Sequence, residues 1–229
     1  MESECEKAKL LPERGPGTPE RPSVKSFQSL VGSLLWVARC NRPYIAYAVH
    51  RATRHSHAPT EQGMNITRRI LRYLAGTAGL KLHMKRATGC ENVELLSYTD
   101  ADYAADKSTR KSVSGALMLV AGMPVGWQVK QQSSVVLSTA ETEFVSAAMG
   151  VKELLVVKNI LDKIELSVKM PMRMMIDNQA AIKQIEKEAT SSSQNHVDVK
   201  LKFIQDTSEK GMVQPEYVCT KVMLTNALT

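Results

Sequence analysis

Three acidic residues, Asp100, Glu143 and Asp177, fall where strands are expected to end or helices to begin. In sheets flanked by helices, active sites gather at such junctions. Carboxylates brought together from separate elements repel one another unless a cation neutralises them. Oxygen donors of this kind suit Mg²⁺, which keeps water and phosphate oxygens in its remaining positions. Two such ions could activate a water and stabilise the leaving oxygen of a phosphodiester. Spacing alone leaves other readings open. Asp100 could simply terminate its strand, Asp177 could cap the helix after it, and Asp102 and Glu141 compete with Asp100 and Glu143 for the inward role.

The elements that must position these groups follow from periodicity. From Glu91 onward, strands are expected at Val93–Thr99, Ser114–Val120 and Val125–Val129, the last two joined by a tight turn at Ala121–Pro124. A long helix follows from Ser138 to Ile164, with a buried stripe of Phe144, Ala147, Ala148, Val151, Leu154, Leu155, Leu161 and Ile164. Met172–Ile176 reads as a strand leading into a helix to about Glu188. Ser191–Gln194 reads as a loop, His196–Lys210 as a helix and Val213–Val218 as the last strand, after which a final helix is only beginning at the end of the sequence. Consecutive strands, then alternating helices and strands, predict an α/β mixed sheet with helices packed on it. Upstream, residues 1–22 read as a flexible leader punctuated by Pro and Gly. Residues 23–90 carry three helical patterns, ending near Ala38, His57 and Gly76, and an alternating run from Gly79 to Lys85 that predicts a short strand. Trp36, Trp127 and the methionines at 172, 174 and 175 are read as packing residues.

Charge is distributed unevenly. Between Arg39 and Arg86 ten basic residues face one acidic residue, Glu61, so this stretch carries +9 and the remainder of the +7 chain nets −2. The third helix presents Arg68, Arg69 and Arg72 opposite its apolar face. A basic segment beside a slightly acidic one suits a polyanion held by one part and handled by the other, although a solvated basic face would have the same composition. No run approaches the roughly 18 apolar residues of a membrane span, and the N-terminus lacks the apolar core of a signal peptide. The four cysteines are widely spaced without a C-x-x-C pair. A reduced intracellular compartment, cytoplasmic or nuclear, is expected, not secretion.

Local sequences add a resemblance. Ser97-Tyr98-Thr99-Asp100-Ala101-Asp102-Tyr103-Ala104 resembles the Y-S-D-A-D-W-A signature of copia-type retrotransposon ribonuclease H domains. Arg110–Gly115 is similar to their R-K-S-T-S-G, Lys130–Phe144 to K-K-Q-S-T-V-A-L-S-S-T-E-A-E-Y, Ile176–Ala181 to C-D-N-Q-S-A, and His196-Val197-Asp198 to H-I-D. Upstream, Ser29–Leu35, Arg42–Val49 and Arg72–Thr77 resemble the S-L-V-G-S-L-L, R-P-D-I-A-Y-A-V and R-Y-L-x-G-T stretches that end the reverse transcriptase region. The likeness runs over roughly residues 24–229 of the chain.

The resemblance implies a ribonuclease H-like three-layer α/β fold with a five-stranded mixed sheet, residues 91–229, preceded by a small helical remnant of a reverse transcriptase. It implies two Mg²⁺ or Mn²⁺ ions and cleavage of RNA within an RNA–DNA hybrid, with other parts of a retrotransposon polyprotein as partners. Carried over by motif, Asp100 bridges both ions, Glu143 binds the leaving-side ion and senses the RNA 2′-hydroxyl, and Asp177 completes that side. Arg68, Arg69, Arg72 and Lys111 are expected on the nucleic acid. The fourth carboxylate of the family's L-A-D-I-L-T-K stretch is replaced by Asn226, a neutral amide, so affinity for the nucleophile-side ion is expected to fall. Tyr44 replaces the aspartate of R-P-D-I-A-Y-A. No Y-x-D-D polymerase motif occurs, so polymerase activity is not expected. His196 is read as structural, being at a helix start.

Overall fold

In the computed structural model the described residues are Leu11, 23–84, 92–186 and 196–229, with 196–198 described by backbone alone. The chain divides into two compact units, Met1–Leu82 and His83–Thr229.

The first unit is helical. α1 (Val24–Cys40) starts at Ser23, whose hydroxyl accepts the Ser26 N–H at 3.3 Å while the Ser26 hydroxyl accepts the Ser23 N–H at 2.9 Å. This reciprocal arrangement satisfies two donors that a helix start otherwise leaves open. Pro43 opens a 3₁₀ turn (Pro43–Ile45) that runs into α2 (Ala46–Thr53). α3 (Glu61–Gly76) is capped by Thr60, whose hydroxyl accepts the Gly63 N–H at 3.1 Å. Two small clusters hold the helices together, one around Phe27, Val31 and Met64, the other around Leu34, Val49 and Ile70. Two expectations fail here. Leu80–Met84 form no strand, and Lys85 lies outside the described residues. Their apolar–polar alternation finds no neighbouring strand to take up the backbone groups, and Leu80 and Met84 stay exposed. Trp36 is not a packing anchor either, being 67% exposed on α1.

The second unit is a five-stranded sheet of order β3-β2-β1-β4-β5. β1 (Leu95–Asp102), β2 (Val113–Val120) and β3 (Met123–Gln131) form an antiparallel meander, while β4 (Met172–Ile176) and β5 (Val213–Tyr217) add in parallel beside β1. The β2–β3 turn places Ala121 at φ 49° and Gly122 at φ 76°. Positive φ at both central residues matches the twist of a two-residue hairpin. α4 (Thr139–Lys163), α5 (Gln179–Ile185) and α6 (His196–Glu209) share one core with the sheet, in which Leu95, Val151, Leu154, Met172, Met174, Ile176 and Ile204 are almost fully buried. Met172 and Met174 fill that core as expected. Against the other side of β2, two 3₁₀ turns, Thr220–Val222 and Leu224–Ala227, bring Leu228 over Gly115. This is the mixed sheet that the strand pattern and the family resemblance both implied.

Two boundaries shift in ways that matter. β1 runs on through Asp100 to Asp102, paired with Val113–Gly115, so Asp100 lies inside the strand and not at its close. α4 buries its stripe as far as Leu161, but Ile164 falls past the helix end and is 59% exposed. The helix end near Glu188 and the Ser191–Gln194 loop lie outside the described residues.

The approach of α4 to β1 depends on Gly150. A Cβ there would stand 2.3 Å from Cγ2 of Thr99, a stiff β-branched side chain that is fully buried. Gly150→Ala is therefore expected to destabilise the unit by about 1–3 kcal/mol, the usual range for overpacking, despite alanine's better helix propensity. A urea titration against the parent chain checks this, and an unchanged midpoint would mean that α4 rides free of β1.

Candidate metal centre

Asp100, Glu143 and Asp177 come from three elements distant in sequence. Asp100 is on β1, Glu143 is in the second turn of α4, and Asp177 follows β4 directly. One ligand oxygen from each lies within 4.8 Å of the others. β4 pairs in parallel with β1, Ile176 opposite Thr99, which sets Asp177 beside Asp100. α4 is fixed at its start by Ser138, whose hydroxyl accepts the Glu141 N–H at 3.2 Å. It is tied to the sheet by Ser146, whose hydroxyl donates to the carbonyls of Asp100 at 2.7 Å and Gly115 at 3.2 Å. The competing acids are resolved. Glu141 accepts the Leu137 N–H at 3.0 Å as part of the helix cap, and Asp102 is exposed and outside the cluster.

Two threonines that sequence reading passed over complete the arrangement. The Thr229 hydroxyl donates to Asp100 Oδ2 at 2.6 Å, and the Ala101 N–H donates to Oδ1 at 2.8 Å. The Thr220 hydroxyl donates to Asp177 Oδ2 at 2.9 Å. No periodic pattern marks either threonine, because both belong to irregular turns. Glu143 differs from its neighbours. It is buried, and its Oε2 has no hydrogen-bond partner.

The electrostatics follow from this. Burial, with the charges of Asp100 and Asp177 added, pushes the Glu143 carboxyl up to about 9. Asp100 is also raised, mainly by burial and further by Asp177, with the Thr229 hydrogen bond acting against the shift. A buried acid with an open oxygen beside two further carboxylates suits a divalent cation, which supplies both the missing charge and the missing partner. The donor set fits Mg²⁺ or Mn²⁺.

Asn226 is exposed on the second of the two 3₁₀ turns after β5. Its Nδ2 donates to the Thr220 carbonyl at 2.8 Å on the exposed turn, so its amide secures the backbone of the residue that supports Asp177. Lys111 is half-buried in the loop before β2, where its carbonyl accepts the Asp106 N–H at 3.1 Å. Among the arginines of α3, Arg69 and Arg72 are exposed and Arg68 is half-buried. Arg69 lines a groove of the helical unit with Tyr44, Tyr47, Arg51 and Tyr73. The side chain of His196 lies outside the described residues.

No protein-family model matches the chain. Over 203 residues, 89% of its length, the chain is 31% identical to the retrovirus-related Pol polyprotein from transposon RE1 of Arabidopsis thaliana. Over 180 residues, 79% of its length, it is 35% identical to the corresponding polyprotein from transposon TNT 1-94 of Nicotiana tabacum. The homologues of the chain are thus retrovirus-related Pol polyproteins of plant transposons. The chain spans only 14% and 13% of the lengths of these two relatives. Among solved structures, LC11-RNase H1 in complex with RNA/DNA hybrid aligns with a TM-score of 0.45 at 11% identity, over 59% of this chain and 93% of that one. The motifs around Asp100, Glu143 and Asp177 fall on β1, on α4 and at the end of β4.

Proposed function

We propose that the chain hydrolyses the RNA strand of RNA–DNA hybrids with two divalent ions, Mg²⁺ or Mn²⁺, as a copia-type ribonuclease H following the end of a reverse transcriptase region. The observation that carries this reading is the meeting of three carboxylates within 4.8 Å, one of them buried with an unpartnered oxygen. Asp100, Glu143 and Asp177 would hold the ions, which when bound supply an activated water and charge compensation at the leaving oxygen. The chain itself contributes orientation. Thr229 and Thr220 each fix one oxygen of Asp100 and Asp177 by donating to it. Glu143 would also sense the ribose 2′-hydroxyl, the group that separates RNA from DNA. Arg68, Arg69, Arg72 and Lys111 would contribute phosphate contacts, which position the duplex without reading its sequence.

A second reading has an observation in its favour. Asn226 brings no charge and spends its amide on the Thr220 carbonyl, as suits a domain that still holds nucleic acid but has lost turnover. A labelled RNA–DNA hybrid incubated with the chain and Mg²⁺ or Mn²⁺ separates the two. Cleavage by the parent and none by Asp177→Asn is expected. Cleavage only after Asn226→Asp would mark a lapsed enzyme, and absence of hybrid binding at low salt would remove both readings.

A further inference from the structure

Both threonines that support the acidic centre, Thr220 and Thr229, belong to one short stretch after β5. Apart from the two 3₁₀ turns the stretch has no regular structure, so burial and side-chain contacts hold it. Met223, Thr225 and Leu228 are at most 4% exposed, whereas Leu224 and Asn226 between them are exposed. The Leu228 N–H donates to the Thr225 carbonyl at 2.7 Å and closes the second turn. The Asn226 amide donates to the Thr220 carbonyl at 2.8 Å and joins the second turn to the first. The two hydroxyls are therefore carried by one connected piece of chain.

What seats this piece is a missing side chain. Gly115 on β2 is paired in register with Asp100 on β1. A Cβ at Gly115 would stand 2.9 Å from Leu228 Cβ and 3.0 Å from Thr229 Cγ2. Both separations fall short of the about 3.5–4.0 Å that carbon atoms keep in contact, and a Cβ cannot swing aside without moving its backbone. The backbone of Gly115 is not in the left-handed region, so glycine is required there for room. That room lies one strand away from Asp100. Leu228 fills it, which delivers the Thr229 hydroxyl to Asp100 Oδ2 at 2.6 Å.

We propose that residues 220–229 form a clasp on the metal centre. With Leu228 seated over Gly115, Thr229 and Thr220 hold Asp100 and Asp177 in place for a divalent cation, and cation and clasp favour each other. The inference rests on the divalent-ion reading above and deepens it by naming what sets the ligands in advance. Two ionised carboxylates at this distance repel, and a hydroxyl donating to each opposes their separation. A carboxylate oxygen that accepts one such hydrogen bond keeps a lone pair for an ion. Neutral donors do this without bringing a positive charge, so the attraction for the cation is left intact. By linkage, the factor by which the clasp raises cation affinity is also the factor by which the cation favours the seated clasp. Thr229, Thr220 and Leu228 act through Asp100 and Asp177 and are positioning residues.

The test uses the full chain and Mn²⁺ alone, with the free ion read by electron paramagnetic resonance, so that no turnover is involved. Thr229→Val keeps the shape and removes the hydroxyl. It should bind Mn²⁺ about tenfold more weakly, the lower end for loss of a group that orients a ligand. Thr229→Ser should return the parental affinity. Gly115→Ala should weaken binding at least as much, and adding Thr229→Val to it should cost little more, because residues acting as one unit are not additive. Should Gly115→Ala fail to fold, the two Thr229 variants decide alone. In the parent, Mn²⁺ should slow amide hydrogen exchange within residues 220–229, and it should do so less in Thr229→Val. Parental affinity in Thr229→Val overturns the proposal. So does tighter binding, since the hydroxyl then competes with the ion for Asp100. Failure of serine to rescue overturns it as well, because the loss would then reflect packing alone. A parent that binds no Mn²⁺ removes the divalent-ion reading itself, and the clasp with it. Clasp-dependent binding in a chain that never cleaves a hybrid would keep the clasp and remove hydrolysis.

Discussion

Glu143→Gln is expected to stabilise the metal-free chain at alkaline pH while abolishing hydrolysis. The Glu143 carboxyl titrates at about 9 in the folded chain against an ordinary value of 4.5. Between those values the folded state holds a proton that the unfolded state has released. Stability is therefore greatest at and below the ordinary carboxylate range and declines as pH rises towards 9, by up to about 1.4 kcal/mol per pH unit within the window. Asp100, also raised, adds to the decline. Glutamine keeps the shape without the charge and should flatten the curve. Mg²⁺ or Mn²⁺ should reverse the decline in the parent, since an ion that binds only the folded state stabilises it by mass action. Urea midpoints from pH 5 to 9, with chelator and then with metal, read all three effects. A flat parental profile would mean that Glu143 is not held buried against its neighbours. Hydrolysis by the variant should fall by about 10³-fold or more, about 4 kcal/mol of transition-state stabilisation.

The second large effect is expected at Asn226. Asn226→Asp adds a negative charge to a turn whose Thr220 hydroxyl already contacts Asp177. The affinity of oxygen-ligand sites for hard cations rises with ligand charge, so the Mg²⁺ concentration giving half-maximal cleavage should fall by about tenfold or more. The substitution also removes the 2.8 Å hydrogen bond from the amide to the Thr220 carbonyl. That loss falls on an exposed group which water can satisfy, so stability should change by less than about 1 kcal/mol. A rise in the Mg²⁺ requirement would instead assign Asn226 a supporting role, in which holding Thr220 matters more than charge. Titrating the cleavage rate with Mg²⁺ for parent and variant decides between the two.

The acidic centre was legible to an unusual degree because each of its members sits in a contiguous motif. Asp100 carries its signature on one strand, Glu143 on one helix turn and Asp177 at one strand end. Such motifs are local, and local sequence is what periodicity and resemblance can read. The choice between Glu143 and Glu141 depended on rotation about the axis of α4, whereas Asp100 and Asp102, two residues apart, share a face of β1 and differ in position along it. Packing of α4 onto β1 through Gly150 and Ser146 sets that rotation.

What the sequence by itself determined is the order of elements from β1 to β5, the mixed sheet and the three acids, because hydrophobic period and motif spacing are properties of the chain alone; the expected final helix is instead two 3₁₀ turns. The tertiary structure decided everything that needs a neighbour. The alternation at Leu80–Met84 found no strand to pair with and stayed irregular, and Trp36 had no core to enter. Thr220 and Thr229 became partners of Asp177 and Asp100 only because turns after β5 fold back across the sheet. Burial and proximity, which raise Glu143 to about 9, exist only after folding. They turn three ordinary acids into a site whose stability depends on a proton or a cation.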